Sequence, residues 1–292
     1  MKKGTLSFLT ACAAVVFSSA VLAQETTEAP LSYNEKIWLQ PFYTHSKLKD
    51  SSSGKGVRSD AEGFDLGFFH QATENIDFGL SYGFTHIHTQ NTFLRQHLYS
   101  NSFQAHLRYD YKGYKLDTKA GYGFATYKQK FKNSGDSAHA DVDTYEIQAL
   151  LSKKLRLLTP EGGLKYLLAK KESVRTDHGR HISGLTADTL TAVLGGTLEK
   201  DYMFQSGLRI TPKAKAFLTY DMIREDKASL MTLPNHTSYL AEDRRMDRKG
   251  IESSFEFIMD KDGFMQLSVG WEGKFRKDFY SHSLLVKGLI DF

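Results

Sequence analysis

Eleven histidines are the side chains of this sequence best suited to metal binding or acid–base catalysis. His86 and His88 are two positions apart, and on a β-strand that spacing puts both rings on one face, where they could chelate a metal ion. Their parity also follows that of Phe84, so we interpret them as outward residues at a membrane surface. The run 177–181 (DHGRH) lies in a polar connection and is interpreted as a solvated turn. The sequence therefore predicts no metal site.

Nucleophilic catalysis would require a serine or cysteine activated by a neighbouring base. Serine, histidine and aspartate occur in several connections, which the composition alone explains, and we assign no catalytic residue. The single cysteine, Cys12, lies in a segment that export would remove, so the exported chain would have no disulfide and no thiolate ligand. We expect a protein without enzyme activity or cofactor, with hydrolysis of phospholipid or peptide as the alternative to test.

The first 23 residues have the layout of a secretory signal. Lys2 and Lys3 are followed by an apolar stretch, and Val21-Leu22-Ala23 forms a cleavage site. We predict a signal peptide over 1–23, a short periplasmic or lumenal segment over 24–35, and one domain over 36–292. Loss of Lys2 and Lys3 lowers the net charge from +4 to +2, which is too small to predict a nucleic-acid partner.

The composition excludes one class of membrane protein and leaves another open. The chain has 292 residues and a mean hydropathy of −0.42. After the signal there is no run of 18 apolar residues, which excludes a protein that spans the membrane with helices. A membrane β-barrel is compatible with these values, because its apolar residues alternate with polar ones.

The chain from residue 36 onward alternates between apolar and polar residues, as β-strands with two different faces do. Ile76, Phe78 and Leu80, for example, share one face, and small or polar residues occupy the other. No segment shows a convincing helical period, so we predict an all-β fold. The twelve predicted strands are 36–45, 61–71, 75–88, 99–111, 114–127, 142–153, 157–170, 186–199, 203–223, 249–260, 263–275 and 279–292.

The predicted connections alternate between long and short. The first, 46–60, is long and polar, the second is a turn at 72–75, and the last, near 276–278, is short where a long loop was due. Antiparallel outer-membrane barrels have long loops on one side and tight turns on the other. An even number of strands puts both termini at the same end, which we expect to be periplasmic. Ten strands are the alternative, if 142–153 and 157–170 do not both cross.

The two faces of the predicted strands indicate a single antiparallel transmembrane barrel. If the apolar face contacts lipid, the charged face lines the lumen, whereas a soluble barrel would bury these ions at a cost on the order of several kcal/mol each. Charges of both signs are mixed, which favours ion pairs over a strongly selective pore. The predicted lumen-lining residues are Asp65, Arg108, Asp110, Lys115, Asp117, Lys119, Glu146, Lys165, Arg209, Lys213, Lys215, Asp221, Glu252, Glu256, Glu272 and Lys274. The aromatic residues assigned to membrane girdles are Trp38, Tyr82, Tyr109, Tyr111, Tyr202, Trp271 and Tyr280.

The end of the chain is an alternating strand whose last residue is aromatic. Such a strand resembles the assembly signal of bacterial outer-membrane proteins, which the barrel-assembly machinery reads by strand addition. The residues assigned to this signal are Tyr280, His282, Leu284, Val286, Ile290 and Phe292.

Further segments resemble the autotransporter β-domain, the translocator unit of type V secretion. The stretch 61–84 is similar to the second and third strands of that family, and 116–127 to its fifth. The stretches 158–172 and 182–200 are similar to its seventh and eighth strands, and 207–222 to its ninth.

This resemblance covers about 36–292 and implies a twelve-stranded outer-membrane barrel that helps a passenger reach the cell surface. The sequence departs from the family between Gln24 and the first strand, where about a dozen residues leave no room for a passenger or for a pore-spanning helix. We therefore expect an orphan translocator, and the self-cleavage of some family members is not carried over.

The predicted orphan translocator is compatible with two functions. The first is a small pore or orphan conduit. The alternative is a closed barrel whose outer loops serve adhesion or contact lipopolysaccharide. Arg244, Arg245 and Arg248 in the ninth connection motivate the lipopolysaccharide contact. The expected partners are outer-membrane lipid, lipopolysaccharide, the barrel-assembly machinery and periplasmic chaperones. The sequence does not identify a passenger supplied by another chain.

Overall fold

The structure is a computed structural model that describes residues 35–49, 56–90, 94–132, 135, 137–179, 181–224, 228–232, 238–242, 247–261 and 263–291. The secondary structure of these residues consists of β-strands joined by turns and irregular connections. Within the described ranges, no helix is long and apolar enough to cross a membrane. The predicted signal peptide, the segment 24–34, Arg244, Arg245 and Phe292 lie outside the described residues.

Twelve long strands form one antiparallel sheet that closes on itself. Each strand pairs with the next along the chain, and β1 pairs with β12 from Lys36 opposite Asp291 to Leu48 opposite Phe279. The strands are β1 (Glu35–Leu48), β2 (Val57–Thr73), β3 (Ile76–Gln90), β4 (Leu94–Tyr111), β5 (Tyr114–Phe131), β6 (Ser137–Lys153), β7 (Leu158–Lys171), β8 (Leu185–Glu199), β9 (Leu208–Arg224), β10 (Lys249–Lys261), β11 (Met265–Arg276) and β12 (Phe279–Asp291).

The all-β fold and the twelve-stranded barrel predicted from the alternation are confirmed. β6 and β7 pair along their length, which decides against ten strands. The ninth predicted strand began too early, because Tyr202–Met203 is a separate short strand that folds back on β9 through a turn. Several strands run further than predicted, to 18 residues in β4 and β5. The outward residues of these extensions are polar. The alternation of apolar and polar residues, from which the strands were predicted, is therefore lost there.

The two ends of the barrel differ in their connections. At the turn end, which also holds residues 35 and 291, neighbouring strands are joined by short turns such as Lys112-Gly113, where φ is 50° and 78°. Positive φ at both central residues is the geometry of a two-residue hairpin turn. At the other end, here called the loop end, two connections contain further short strands. Val174–Arg175 pairs with His181–Ile182, and Ala228–Thr232 pairs with Ser238–Glu242.

The outer surface of the barrel is apolar along most of its height. Exposed leucine, isoleucine, phenylalanine and tyrosine side chains cover it, as a lipid-facing surface requires. Six of the seven residues assigned to girdles also have outward side chains. The assignment of Trp38 is wrong, because its side chain points inward, is 1% exposed and packs against Leu289. Trp38 shares its parity with Lys36, Gln40 and Thr44, so the alternation of β1 already placed it inward, and the assignment followed only its residue type and its position near the strand end.

Candidate functional site in the barrel lumen

The interior of the barrel is lined by charged side chains at mid-height. Strand parity and burial place all sixteen predicted lumen-lining residues on the inward face, from Asp65 on β2 to Lys274 on β11. Lys119, Lys213 and Asp221 are each less than 4% exposed although they carry charge. A buried charge is tolerated only with compensating partners, so the arrangement of these groups determines what the lumen can do.

Five of these residues form a chain of charges that crosses the lumen, here called the lumen ion-pair chain. Lys119 Nζ on β5 lies 3.7 Å from Glu146 Oε1 on β6. Lys165 Nζ on β7 lies 3.5 Å from Glu252 Oε2 on β10, and Lys274 Nζ on β11 lies 4.0 Å from Glu252 Oε1. Glu146 also interacts electrostatically with Lys165 and Lys274, which joins the two halves. β5 and β11 are six strands apart in a twelve-stranded barrel, so the chain connects opposite walls.

Ion pairs toward the turn end stay within one wall. Arg108 on β4 donates to Asp117 on the adjacent strand β5, with Nε 3.0 Å from Oδ1, and also contacts Asp77 on β3. Arg209 pairs with Asp260 on the neighbouring strand. These pairs fix neighbouring strands to each other and leave the lumen between them uncrossed.

A further cluster of charges lies near the loop end. Arg276 on β11 binds Asp221 on β9, with Nη2 3.0 Å from Oδ1, and Thr191 on β8 donates to the same carboxylate at 2.9 Å. Arg224 also contacts Asp221 at 3.7 Å. The backbone carbonyl of Asp247 accepts a hydrogen bond from Arg276, so this cluster ties the start of β10 to the wall.

Two inward carboxylates accept no hydrogen bond in the described part of the structure. Both oxygens of Asp65 and both oxygens of Glu272 are buried and without hydrogen-bond partners there. Asp65 interacts at longer range with Lys119 and Lys287, and Glu272 with Lys274 and Lys215. Buried polar groups of this kind are usually hydrated. The middle of the lumen is therefore a region that needs water or ions.

An apolar group of inward residues also lies at the loop end of the lumen, and the sequence analysis did not predict it. We call this group of inward residues the apolar ring; its members come from nine strands and are at most 4% exposed. Five of its members are alanines at inward positions, whose small side chains gave no sign of a packed group in the sequence. The members are Leu48, Ala61, Ile87, Leu98, Ala125, Tyr127, Ala140, Val142, Ala169, Ala187 and Phe279.

The connection between β7 and β8 folds over this ring. Val174 packs against it, and Lys171 Nζ lies 5.4 Å from the centre of the Tyr127 ring. The backbone N–H of Glu172 donates to the carbonyl of Asp141 at 3.1 Å, which fixes the connection to β6. The connection thus covers part of the loop end of the lumen.

A serine–histidine pair in the wall was also missed. The run Gly79-Leu80-Ser81-Tyr82-Gly83 matches the G-x-S-x-G pattern of hydrolase nucleophiles, and Ser81 Oγ is hydrogen-bonded to His106 Nε2 at 3.2 Å. The pattern requires a sharp turn between a strand and a helix, whereas Ser81 lies in the middle of β3. The charged groups acting on His106 are all cations, namely Lys119, Arg108 and Lys287. No carboxylate among the described residues orients the imidazole.

The sequence matches the model of the autotransporter β-domain over residues 37–257, about three-quarters of the chain. The chain belongs to the autotransporter β-domain family. The resemblance recognised in the sequence is thereby confirmed. Autotransporter β-domains reside in the bacterial outer membrane, so the apolar outer surface of this autotransporter β-domain contacts lipid.

Solved structures of translocators share its fold. The translocator domain of the autotransporter NalP from Neisseria meningitidis has a TM-score of 0.76 and 15% identity, with 90% of each chain covered. The β-domain of the Bordetella autotransporter Brka has a TM-score of 0.70 and 12% identity, covering 89% of this chain and 100% of that one. The transport unit of AIDA-I from Escherichia coli has a TM-score of 0.63 and 11% identity, covering 94% and 95%. No curated protein matches the chain in sequence.

The remaining candidate residues of this autotransporter β-domain lie outside the lumen. His86 and His88 face outward near the loop end, where His86 Nδ1 lies 3.3 Å from Glu62 and the His88 ring contacts His97. His178 and His181 are exposed in the connection between β7 and β8. Within the described ranges, no three histidine, cysteine, aspartate or glutamate side chains are grouped to hold a metal ion.

Five of the six residues assigned to the assembly signal are described, and they share the outward face of β12. Tyr280, His282, Leu284, Val286 and Ile290 alternate with buried inward residues such as Lys287. Arg248, the described member of the basic group in the ninth connection, donates to the backbone carbonyl of Met222 at 3.4 Å.

Proposed function

We propose that this autotransporter β-domain is an outer-membrane conduit whose lumen is bridged at rest by the lumen ion-pair chain. Its termini would be periplasmic and its loop end would face the cell surface. The observation that carries the proposal is the contact of Lys165 with Glu252 and of Glu252 with Lys274, which joins β7, β10 and β11 inside the barrel. Side chains of this length can bridge the lumen in one rotamer and line the wall in another.

The bridge can open because its surroundings are polar. In a hydrated lumen water can replace each lost partner, so separating the pair costs less than the roughly 3–5 kcal/mol of breaking a dry buried ion pair. Asp65 and Glu272, whose carboxylates accept no hydrogen bond from the described residues, support a lumen that contains water. Breaking the pair would therefore exchange one set of polar contacts for another.

The charges also limit what the conduit would carry. Inward cations and anions are mixed along the same strands, as in Asp110 opposite Lys115 and Lys213 opposite Glu256. A lumen with both signs distributed in this way has no strong preference for either sign of ion. Small hydrated solutes or an extended polypeptide fit such a path.

Conductance of the refolded protein in a planar bilayer tests the proposal. We expect small or infrequent openings for the unmodified chain, and larger or more frequent openings for Glu252→Gln, which removes both arms of the bridge. Asp260→Asn is the matched control, because its partner Arg209 lies on the adjacent strand and the pair does not cross the lumen. Silence from both the unmodified chain and Glu252→Gln, when both are inserted and heat-modifiable, would contradict a conduit.

A closed barrel with a surface role is the second candidate. The apolar ring and the packing of Val174 against it favour this function, because both fill the lumen at the loop end. In that case the outer loops would carry the interaction, and removal of residues 174–182 would not produce conductance. Conductance that appears on this deletion would instead identify the connection as a gate.

We also propose that the protein acts without catalysis. Among the described residues, no carboxylate orients His106 beside Ser81. The backbone N–H groups of β3 pair with β2 and β4, so they are not free to stabilise an oxyanion. Purified protein should hydrolyse neither phospholipid nor peptide. Hydrolysis that is abolished by Ser81→Ala would overturn this proposal.

The partners of assembly are inferred from the last strand. We propose that the barrel-assembly machinery and periplasmic chaperones recognise the outward residues of β12 together with Phe292. Phe292→Ala should slow insertion in cells and leave refolding in detergent unchanged, because only the former uses the machinery. Equal slowing in both would indicate a defect of folding.

A further inference from the structure

The register of the sheet groups basic side chains on the outer surface at the loop end. Across the first five strands, one outward row contains Lys47, Arg58, Arg95 and Lys130, with Gln90 between the two pairs. The next row down adds Lys128. We call Lys47, Arg58, Arg95, Lys128 and Lys130 the basic belt. All five side chains are exposed.

Two pairs in this belt place like charges directly opposite each other. Lys47 is the register partner of Arg58, and Arg95 is the register partner of Lys130. Like charges in directly opposite positions of an antiparallel pair destabilise the sheet. Among the described residues, no carboxylate forms a salt bridge with any member of the belt. The belt therefore lacks the internal counter-charges that would offset this repulsion.

The acidic residues nearby are engaged in contacts of their own. Asp60, in the row below, accepts from Tyr43 Oη at 2.9 Å and lies 2.8 Å from His45 Nδ1. Asp141 accepts from Thr126 at 2.8 Å. Neither carboxylate neutralises the row of cations above it, although Arg58 lies close enough to interact with Asp60.

The described residues of the opposite half of the barrel form no such row. Their outward cations toward the loop end include Lys170, whose register partner is Asp143, and Lys249, whose register partner is Tyr220. Each has a partner that is compatible with a positive charge. Within the described residues, the like-charge pairs are thus a property of the first five strands.

Below the belt the surface changes to aromatic and apolar residues. The side chains of Phe64, Phe84 and Phe124 point outward. Each lies four residues along its strand from the belt row that contains Lys128, a distance of about 13 Å. Between them lie amphipathic residues, including Tyr99 stacked on His86. An amphiphile with acyl chains against the phenylalanines would thus have its charged groups at the belt.

We propose that the basic belt binds the phosphate groups of lipopolysaccharide in the outer leaflet. The belt covers five strands, about 19 Å at the spacing of neighbouring strands, which fits a glycolipid with more than one phosphate better than a phospholipid with one. A phosphate between Arg95 and Lys130 would turn a repulsive pair into two charge-assisted contacts. The proposal rests on the outer-membrane location and on the loop end facing outward, and does not depend on whether the lumen conducts.

Titration of lipopolysaccharide onto the full chain in phosphatidylcholine vesicles tests this site. The variant is the triple substitution Arg58→Gln, Arg95→Gln and Lys130→Gln, and the matched control is Lys170→Gln with Lys249→Gln. We expect the triple variant to lose about tenfold or more in affinity for lipopolysaccharide, with a weaker dependence on salt. The control should bind as the unmodified chain does.

Thermal unfolding gives a second test of the belt. If the belt only stabilised the fold, the triple substitution would lower the unfolding temperature, whereas a lipopolysaccharide site predicts a rise in the absence of anionic lipid. Without anionic lipid, the triple variant should unfold at a higher temperature than the unmodified chain, because the like-charge pairs are gone. Added lipopolysaccharide should raise the midpoint of the unmodified chain and leave that of the variant nearly unchanged. A variant destabilised in both conditions would overturn the proposal.

The remaining outcomes also decide the question. Unchanged affinity of the triple variant, or an equal loss in the control, would overturn the site. Vesicles with phosphatidylglycerol in place of lipopolysaccharide separate the two lipids, and equal stabilisation by both would overturn the assignment to lipopolysaccharide. Conductance of the triple variant should match that of the unmodified chain, so a failure here is distinguishable from a failure of the conduit.

Discussion

Lys165 on β7 and Glu252 on β10 form a 3.5 Å ion pair inside the barrel, although β8 and β9 lie between their strands. A pair between adjacent strands would support the sheet in the same way as a backbone ladder. This pair instead spans part of the lumen, and Lys274 extends it to β11. The stability of the barrel wall therefore depends on whether the lumen is bridged by this pair or open.

The first prediction concerns the energy of this bridge. Glu252→Gln should lower the free energy of unfolding by about 1–3 kcal/mol, because it leaves Lys165 and Lys274 facing each other without their carboxylate. Lys165→Met should cost less, since Glu252 keeps Lys274. The double variant should be less destabilised than the sum of the two single variants. Denaturant unfolding of the refolded barrel measures all three values, and strict additivity would show that the two residues do not interact.

The second prediction concerns ion selectivity. Neutralising Lys115, Lys119, Lys213 and Lys215 to Gln leaves inward carboxylates in excess, so the conduit should become selective for cations. A shift of the reversal potential in a salt gradient would measure this. Lys112 and Lys153, exposed at the turn end, provide the control, and their neutralisation should leave the reversal potential unchanged. An equal shift in the control would point to surface charge and not to the lumen.

The third prediction concerns the closure of the barrel beside β1. Gly67 on β2 is the register partner of Trp38, and a Cβ at this position would overlap the indole ring. Because Trp38 is buried, the ring cannot move aside, and Gly67→Ala should destabilise the barrel by about 1–3 kcal/mol. Gly288→Ala is the control, because no atom lies within 4 Å of a Cβ there. The temperature at which the band shifts on a gel reports the difference.

The fourth prediction concerns the outward face of β12. Leu284 is an exposed outward residue at mid-strand, so Leu284→Arg should cost about 2–4 kcal/mol of stability in a lipid bilayer. Tyr280→Arg, near the loop end of the same face, should cost about 0–1 kcal/mol, because the penalty for arginine falls toward the interface. Unfolding in bilayers of defined thickness measures both. Equal costs would mean that Leu284 is not at membrane depth.

The strands and their number could be predicted because the constraint that produces them is local. Each outward residue must be compatible with lipid and each inward residue with the lumen, so a strand such as β3 alternates strictly over residues 76–84. The girdle assignment of Trp38 was wrong because it followed residue type, whereas the parity of Trp38 with Lys36 and Gln40 places its side chain inward against Leu289. The alternation also did not identify the apolar ring, whose alanines gave no sign of being packed together.

The sequence by itself determined the twelve strands, the inward and outward faces of most of them, and the similarity to autotransporter β-domains. These properties depend on the period of two and on short segments of chain. Only the tertiary structure decided which charges meet. Lys165 and Glu252 are 87 positions apart. Their contact depends on the closure of the barrel and on the register and tilt of β8 and β9, which lie between their strands. The same holds for the basic belt, because Arg95 and Lys130 become opposite only when β4 and β5 pair in one particular register.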